Sequence, residues 1–131
     1  MTYTSFVAGL AALNVSGVTR KYTAPPSQLS SADLPTMYPR LPEGNQEIIS
    51  FGYEVGKLST VCELVVVMKA DKQGNSQPNF ADCLTMLDAL NSALDANAAS
   101  LKLDRWSLRQ DGEQIGETPY WIIVARVEAS E

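Results

Sequence analysis

The stretch Thr60-Val61-Cys62-Glu63-Leu64-Val65-Val66-Val67-Met68-Lys69 is the clearest strand in the chain. Side chains alternate between the two sides of a strand, so the even and odd positions form separate faces. One face is entirely apolar and consists of Cys62, Leu64, Val66 and Met68. The other is mixed and consists of Val61, Glu63, Val65, Val67 and Lys69. This pattern predicts a strand whose sheet packs on helices with one face and is only partly covered on the other.

An amphipathic helix is predicted after this strand, over about residues 79–97, behind a turn-rich loop at 71–78. Asn79 is placed to cap it, and Asp82 then faces the positive end of the helix. Apolar residues recur at spacings of three and four and form the predicted buried stripe. They are Phe80, Cys83, Leu84, Met86, Leu87, Leu90 and Leu94. The polar face, predicted to be solvated, carries Asp82, Thr85, Asp88, Ser92 and Asp95.

Two strands close the chain, at about 101–110 and 120–128. The link between them has glycines on both sides of a polar run, which is typical of a hairpin connection. The last strand is apolar on both sides at its start, because Tyr120, Ile122 and Val124 alternate with Trp121, Ile123 and Ala125. Such a strand is expected to be buried on both sides. With only two helices predicted, a second subunit is the expected source of the additional cover.

Proline dominates the N-terminal half, where five of the seven prolines fall from Pro25 to Pro42. Proline has no amide donor, so this region is predicted to be a stiff extended arm over about residues 24–46, with an edge-type strand at 35–41. A first helix is predicted over 3–13, capped by Thr2 or Thr4. Short strands are predicted at 18–23 and 47–54. This order of elements predicts one α+β domain over residues 1–131, with two layers, a mostly antiparallel sheet and the helices on one face.

Composition restricts the class of protein. The formal net charge is −5 and the ten basic residues are scattered, which argues against recognition of nucleic acid or of an anionic membrane surface. No apolar run has the length of a bilayer span, and no basic residue precedes the apolar run at 6–13, as it would in a signal peptide. Cys62 and Cys83 lie in apolar patterns and are predicted to be buried reduced thiols. Synthesis in a reducing cytoplasm is therefore expected.

The residues that carry common catalytic chemistry are sparse. The chain has no histidine, which excludes histidine triads and histidine-ligated metals, and two cysteines are too few for a cysteine-only zinc site. The run from Gly52 to Ser59 has the wrong spacing for a phosphate loop. We therefore predict no catalytic, cofactor-binding or metal-binding residues, and no enzyme activity. Glu63 is either an exposed sheet residue or part of a subunit boundary, paired with Arg105 or Arg126. Trp106 and Trp121 could stack a ligand, although core or interface anchoring is the commoner use.

The architecture, with Asp33-Leu34-Pro35 leading into an extended strand, resembles the tail terminator (tail completion) proteins of long-tailed bacteriophages. A short N-terminal helix, a long amphipathic helix and a C-terminal hairpin complete the resemblance over nearly the whole chain. It implies a hexameric ring on the end of the tail tube that stops tube growth and offers a surface to the head connector. The chain departs from the family in its longer proline-rich stretch before Pro35.

Two functions are therefore expected. The first is a structural virion protein made in the host cytoplasm, with itself, the tail tube protein and the head connector or neck protein as partners. The alternative is a non-viral homo-oligomeric α+β module that holds a small molecule. In either case we predict a set of subunit-interface residues. They are Pro25, Pro26, Pro35, Tyr38, Arg40, Glu63, Trp121 and Arg126.

Overall fold

A computed structural model describes residues 1–46, 58–70 and 76–131. The elements in chain order are α1 (Tyr3–Ala11), β1 (Arg20–Lys21), a 3₁₀ turn (Ser31–Asp33), β2 (Thr36–Pro39), β3 (Glu43–Gln46), β4 (Leu58–Ala70), α2 (Ser76–Ala96), α3 (Ala98–Leu101), β5 (Leu103–Ile115) and β6 (Thr118–Ser130). The predicted strand at 47–54 and the run at 52–57 lie outside the described residues. Most of the predicted loop at 71–78 also lies outside them, and its last three residues belong to α2.

The described strands form one mixed sheet in the order β1-β2-β4-β6-β5, with β3 paired to β4 beside β2. β1 runs parallel to β2, and every other pairing is antiparallel. β4 is central because it pairs with β6 on one side and with β2 and β3 on the other. β5 and β6 form the predicted C-terminal hairpin. The predicted α+β class and the mostly antiparallel sheet are confirmed.

Both larger helices pack on the same face of the sheet, which we call the helix face. The core there joins Phe6 and Leu10 of α1 and Leu90 of α2 to the even-numbered side of β4. The predicted alternation of β4 is therefore confirmed. α1 lies over β2 and β4, whereas α2 lies over β4, β6 and β5. Among the described residues, no helix combines the length and the apolar character that crossing a membrane requires.

The opposite face of the sheet, which we call the loop face, has a second apolar core. Tyr38, Val65, Ile122 and Val124 are buried there, and Leu29 and Leu34 from the segment before β2 pack against them. β6 is thus buried on both sides, as predicted, but by one copy of the chain. The expectation that a second subunit supplies this cover is wrong, because the loop between β1 and β2 lies on the sheet in its place.

The proline-rich segment is part of the sheet over much of its length. β2 pairs with residues 64–67 of β4, and β3 pairs with residues 58–61 of the same strand. Pro35 precedes β2, Pro39 ends it and Pro42 precedes β3, so each stands where a missing amide donor is tolerated. The Leu34–Pro35 peptide bond is cis. β2 is wholly buried and lies between β1 and β4, so the predicted edge-type strand is wrong.

α2 ends within one residue of its predicted end, but it begins three residues earlier and has a different orientation. It begins at Ser76, so Asn79 lies within its first turns, buried, and the predicted N-cap is wrong. Its buried line is Asn79, Cys83, Met86, Leu90 and Leu94. Phe80 and Leu84 were predicted to be buried, yet they are 62% and 49% exposed. The apolar stripe in the sequence is wider than the surface that the sheet offers, so its outer residues remain in solvent.

α1 agrees with its prediction. Thr2 caps the helix, with its hydroxyl accepting a hydrogen bond from the Ser5 amide while the Ser5 hydroxyl accepts one from the Thr2 amide. This reciprocal pair satisfies two amide groups that a helix start leaves open. The helix ends at Ala11, two residues before the predicted end.

Gly44 lies where β3, β4 and the Tyr3 ring meet. A Cβ at this position would clash with the Ser59 carbonyl oxygen and would lie 2.6 Å from Cε1 of Tyr3. We predict that Gly44→Ala lowers the free energy of unfolding by roughly 1–3 kcal/mol, because backbone cannot move aside as a side chain can. Gly112→Ala is the control, since its Cβ would meet only the Tyr120 carbonyl oxygen, at 3.8 Å. Urea denaturation of both variants would contradict this assignment if they lost equal stability.

Asn79 provides a second stability test. It is buried, and neither its amide nitrogen nor its amide oxygen has a hydrogen-bond partner in the described part of the chain. We predict that Asn79→Leu raises the free energy of unfolding by about 1–2 kcal/mol, because an unpaired buried amide carries a desolvation cost.

Asn91→Leu is the matched control for Asn79→Leu. It brings the same gain in helix propensity on the same helix, but it removes an acceptor at 2.9 Å from the Trp106 indole nitrogen. We expect it to be the less stable of the two variants in urea denaturation. Equal stability of the two would mean that the Asn79 amide carries no desolvation cost.

Candidate oligomer interface and ionic cluster

Five polar side chains meet at the rim of the loop face and form what we call the ionic cluster: Tyr38, Arg40, Glu63, Arg109 and Glu113. Arg40 donates to Glu63 Oε1 at 2.9 Å and to Glu113 Oε2 at 3.1 Å. Arg109 donates to Glu63 Oε2 at 2.9 Å, and the Tyr38 hydroxyl donates to Glu113 Oε2 at 2.6 Å. Each carboxylate therefore accepts two hydrogen bonds from this set.

The contact between Tyr38 and Glu113 depends on the curvature of the sheet. β4 and β6 separate β2 from β5, which would place these strands about 14 Å apart in a flat sheet. Across the ladders Tyr38 aligns with Val65, Val124 and Arg109, so Glu113 lies four residues farther along β5. A twisted sheet brings such diagonal positions together, because each strand is rotated by roughly 20–25° from its neighbour. The end of the hairpin therefore curls over the loop face.

The electrostatics of the cluster hold Tyr38, Arg40 and Glu63 in their ordinary protonation states. Burial alone would raise the pKa of Glu63, but hydrogen bonds and charge from Arg40 and Arg109 outweigh it and lower that pKa. Burial, followed by the hydrogen bond to Glu113, raises the pKa of Tyr38 above its usual value. Burial opposes the charge of Arg40, but its bonds to Glu63 and Glu113 raise its pKa. The shifts of Tyr38 and Glu63 move away from neutrality, whereas an acid–base catalyst needs a pKa near the working pH.

The two cysteines are free and buried, as predicted. Burial raises the pKa of Cys62 to about 11, although its hydrogen bond to the Arg40 carbonyl opposes the shift. Burial and the charge of Asp82 raise the pKa of Cys83. Both thiols are therefore protonated at neutral pH, whereas a cysteine nucleophile reacts as the thiolate.

A cleft of about 510 Å³ runs between α1 and the chain on either side of β2; we call it the α1 groove. Tyr3 and Val7 line it from α1, Pro25 from the loop after β1, and Leu41 and Pro42 from the chain after β2. Leu41 is 91% exposed and Tyr3 is 38% exposed. Among the described residues that line the groove, Arg40 alone is charged.

A second exposed apolar surface lies on α2. Phe80 and Leu84 are one helical turn apart and form what we call the Phe80 ridge. The same line of the helix continues through Asn91, which accepts a hydrogen bond from Trp106 of β5. The ridge therefore lies on the flank of α2 that faces the β5 edge of the sheet. Among the described residues, the exposed large hydrophobic side chains are Tyr3, Leu41, Phe80 and Leu84.

The predicted interface residues divide into separate places. Tyr38, Arg40 and Glu63 come together in the ionic cluster, and Pro25 and Arg40 line the α1 groove. Pro26 is half-exposed beside Pro25. The remaining three are not brought to either place. They are Pro35, Trp121 and Arg126.

The remaining residues have local contacts. The Pro35 carbonyl accepts a hydrogen bond from the Thr19 amide at 2.8 Å and so helps to join β1 to β2. Trp121 is half-buried and packs against the core of the helix face. Arg126 lies directly across from Glu63 in the ladder but pairs with Glu128, at 3.6 Å. The predicted pairing of Glu63 with Arg105 or Arg126 is wrong, since Arg40 lies directly across from it on the other side of β4 and Arg109 approaches it diagonally across β6.

Sequence reasoning missed Arg109 and Glu113 in the cluster and the exposed apolar residues of the groove and ridge. Arg109 and Glu113 share a parity on β5, but nothing local relates them to Tyr38 on a distant strand. The exposure of the Phe80 ridge could have been predicted from the sequence. α2 has more apolar positions than one face can bury, and a stripe wider than its support leaves residues exposed.

The cluster makes a prediction about acid stability. The pKa of Glu63 is lower in the folded chain than the value of about 4.3 for an unperturbed glutamate, so its contribution is present above that pH and is lost as pH falls through the folded pKa. We expect Glu63→Gln to cost about 1 kcal/mol at pH 7, discounted because the cluster is half-exposed, and little at pH 3. Glu117→Gln, in the hairpin turn outside the cluster, is the control. Urea titrations from pH 3 to 7 test this, and a deficit independent of pH would contradict it.

Comparison with known proteins assigns this chain to no family. No protein-family model matches it, and no curated protein matches it. Evidence about function therefore comes from the ionic cluster, the α1 groove and the Phe80 ridge.

Proposed function

We propose that this chain is a structural virion protein that forms a homo-oligomeric ring at the tail end or head–tail junction of a long-tailed bacteriophage. There it caps the tail tube and joins it to the head connector. The observation that carries the proposal is the exposure of large apolar side chains at two sites on a fold that already covers its own sheet.

The exposed side chains are grouped. Single exposed apolar residues are normal on soluble proteins, so one exposed leucine would mean little. Here Tyr3 and Leu41 border a cleft lined mainly by apolar and proline side chains, and Phe80 and Leu84 form one ridge. Grouped apolar surface of this kind is typical of contacts with another protein or a ligand.

The ionic cluster suits a structural subunit. The charged side chains of the cluster form ion pairs with one another. These ion pairs link β5 to β4 and to the chain after β2. Such cross-links hold the curled sheet in one shape, and a rigid subunit loses less freedom when it assembles. The displaced pKa values of Tyr38 and Glu63 also favour a positioning role over proton transfer.

The order of elements supports the phage assignment. An N-terminal helix, the Asp33-Leu34-Pro35 step into β2, the long α2 and the β5–β6 hairpin follow the arrangement on which the resemblance to tail terminator proteins depends. The resemblance is one of architecture, and the ring, the tail tube and the head connector enter through it alone.

The α1 groove favours a second candidate function. Its volume of about 510 Å³ lies within the range typical of small-molecule sites, and its lining is largely apolar with one charged group. A non-viral homo-oligomeric α+β module that holds a small, largely apolar molecule would use the same groove. The two functions differ in what fills the groove, so the state of assembly distinguishes them.

We predict that the purified chain forms a closed ring of one size as its concentration rises. Light scattering coupled to size-exclusion chromatography should give a single multiple of the 14.2 kDa chain, and negative-stain images should show rings. A monomer or a simple dimer at every concentration would contradict the ring. Added to the tail tube protein of the same phage, the ring should shorten the tubes and occupy one end of each. Tubes of unchanged length would contradict the capping role.

A further inference from the structure

We propose that α2 begins at two alternative residues and that the side chain of Asn79 switches the helix between them. In the long form the helix begins at Ser76, as in the structure, and Asn79 is buried. In the short form residues 76–78 leave the helix and Asn79 becomes its N-cap. The inference does not rest on the proposed ring-forming function, because it concerns one end of a helix within a single subunit.

The long form leaves the Asn79 side chain without hydrogen bonds. Asn79 is wholly buried, and within residues 1–46, 58–70 and 76–131 neither its Nδ2 nor its Oδ1 has a partner. The large majority of buried polar side-chain atoms in native proteins are hydrogen-bonded, so an exception requires a physical reason. The long form therefore carries a desolvation cost, which a change of helix start would remove.

The sequence just before Asn79 also opposes the long form. A proline disfavours helical backbone angles in the residue that precedes it. The long form requires those angles at Gln77, because Gln77 and Pro78 both lie inside α2. A helix that begins after Pro78 avoids this conflict, since Gln77 and Pro78 then both lie outside it.

The short form satisfies the Asn79 side chain. Asparagine is a preferred N-cap residue, because its side-chain oxygen accepts a hydrogen bond from a backbone amide of the first turn. Three residues on, that amide belongs to Asp82. The carboxylate of Asp82 would also lie in the first turn, where the positive end of the helix favours it. In the long form Asp82 lies almost one turn farther in, and its carboxylate pairs with Lys69 at 2.9 Å.

Backbone hydrogen bonding favours the long form. This form adds the bonds from the amides of Phe80, Ala81 and Asp82 to the carbonyls of residues 76–78. Bonds at a helix end replace bonds to water, so their net contribution to stability is small. It opposes the burial cost of Asn79 and the conflict at Gln77, so we expect both forms to be populated.

Two changes of similar size at position 79 test the switch in opposite directions. Asn79→Leu removes the cap and suits burial, so it should fix the long form. Asn79→Asp keeps the cap and adds a charge that is costly to bury, so it should fix the short form. The ¹³Cα chemical shifts of residues 76–78 should be helical in the first variant, non-helical in the second and intermediate in the wild type. Asn91→Leu and Asn91→Asp are the controls, because they make the same changes at an exposed position of α2 and should leave these shifts unaltered.

Amide hydrogen exchange distinguishes this switch from simple fraying of a helix end. In the short form the amides of Phe80 and Ala81 lose their partners, whereas the amide of Asp82 keeps one. In the wild type we expect the first two to exchange about tenfold or more faster than the third, and Asn79→Leu to remove most of that difference. This comparison holds whether or not Asn79→Asp folds.

Two results would overturn the inference. One is an exchange rate that rises smoothly toward the helix end and does not respond to Asn79→Leu. The other is a set of wild-type ¹³Cα shifts that coincides with the set of either variant at position 79, since a single helix start would then account for the data.

Discussion

The antiparallel pairing of β4 with β6 is the constraint on which the rest of the fold depends. It places Val66 and Ile123 opposite one another on the helix face, and Val65 and Val124 on the loop face, and all four are inaccessible to solvent. Two adjacent strands that are apolar on both sides must be covered on both sides. The helices provide one cover, and the segment before β2 provides the other together with the curled hairpin. The proline-rich segment is therefore retained in the fold as a cover and as a partner of β4.

The ionic cluster follows from this closure. When the hairpin curls over the loop face, Glu113 approaches Tyr38, and a lone carboxylate at that depth would carry a desolvation cost. The positive charge of Arg40 offsets this desolvation cost. Glu63 and Arg109 then extend the alternation of negative and positive side chains to the rim of the loop face. Burying ion pairs adds little net stability on average, but their geometry disfavours other registers. We therefore assign the cluster to holding the shape of the sheet.

How much of this could be predicted from sequence depends on how local each feature is. The faces of β4, the end of α2, the capping of α1 by one of two candidate threonines and the buried thiols follow from spacing over a few residues, and they were predicted correctly. The partners of Glu63 could not be predicted, because Arg40 lies across from it only in the register that β2 adopts on β4, and Arg109 reaches it diagonally across β6. Nothing in the local sequence indicates the burial of Tyr38, because distant parts of the chain cover it on the loop face. Phe80 and Leu84 were misplaced because periodicity gives the direction of an apolar stripe but not the width of the surface beneath it.

The apolar faces of β6 give no reason to expect assembly, since one copy of the chain buries them. The exposed apolar side chains of Tyr3, Leu41, Phe80 and Leu84 give that reason instead. A symmetric contact would set ridge against ridge and would bring two helices together that each carry aspartates and no basic residue. Like charges across an interface are unfavourable, and the groove would remain open to solvent. A contact between different surfaces of two copies would avoid that juxtaposition, which is why a ring rather than a two-fold dimer is the assembly proposed above.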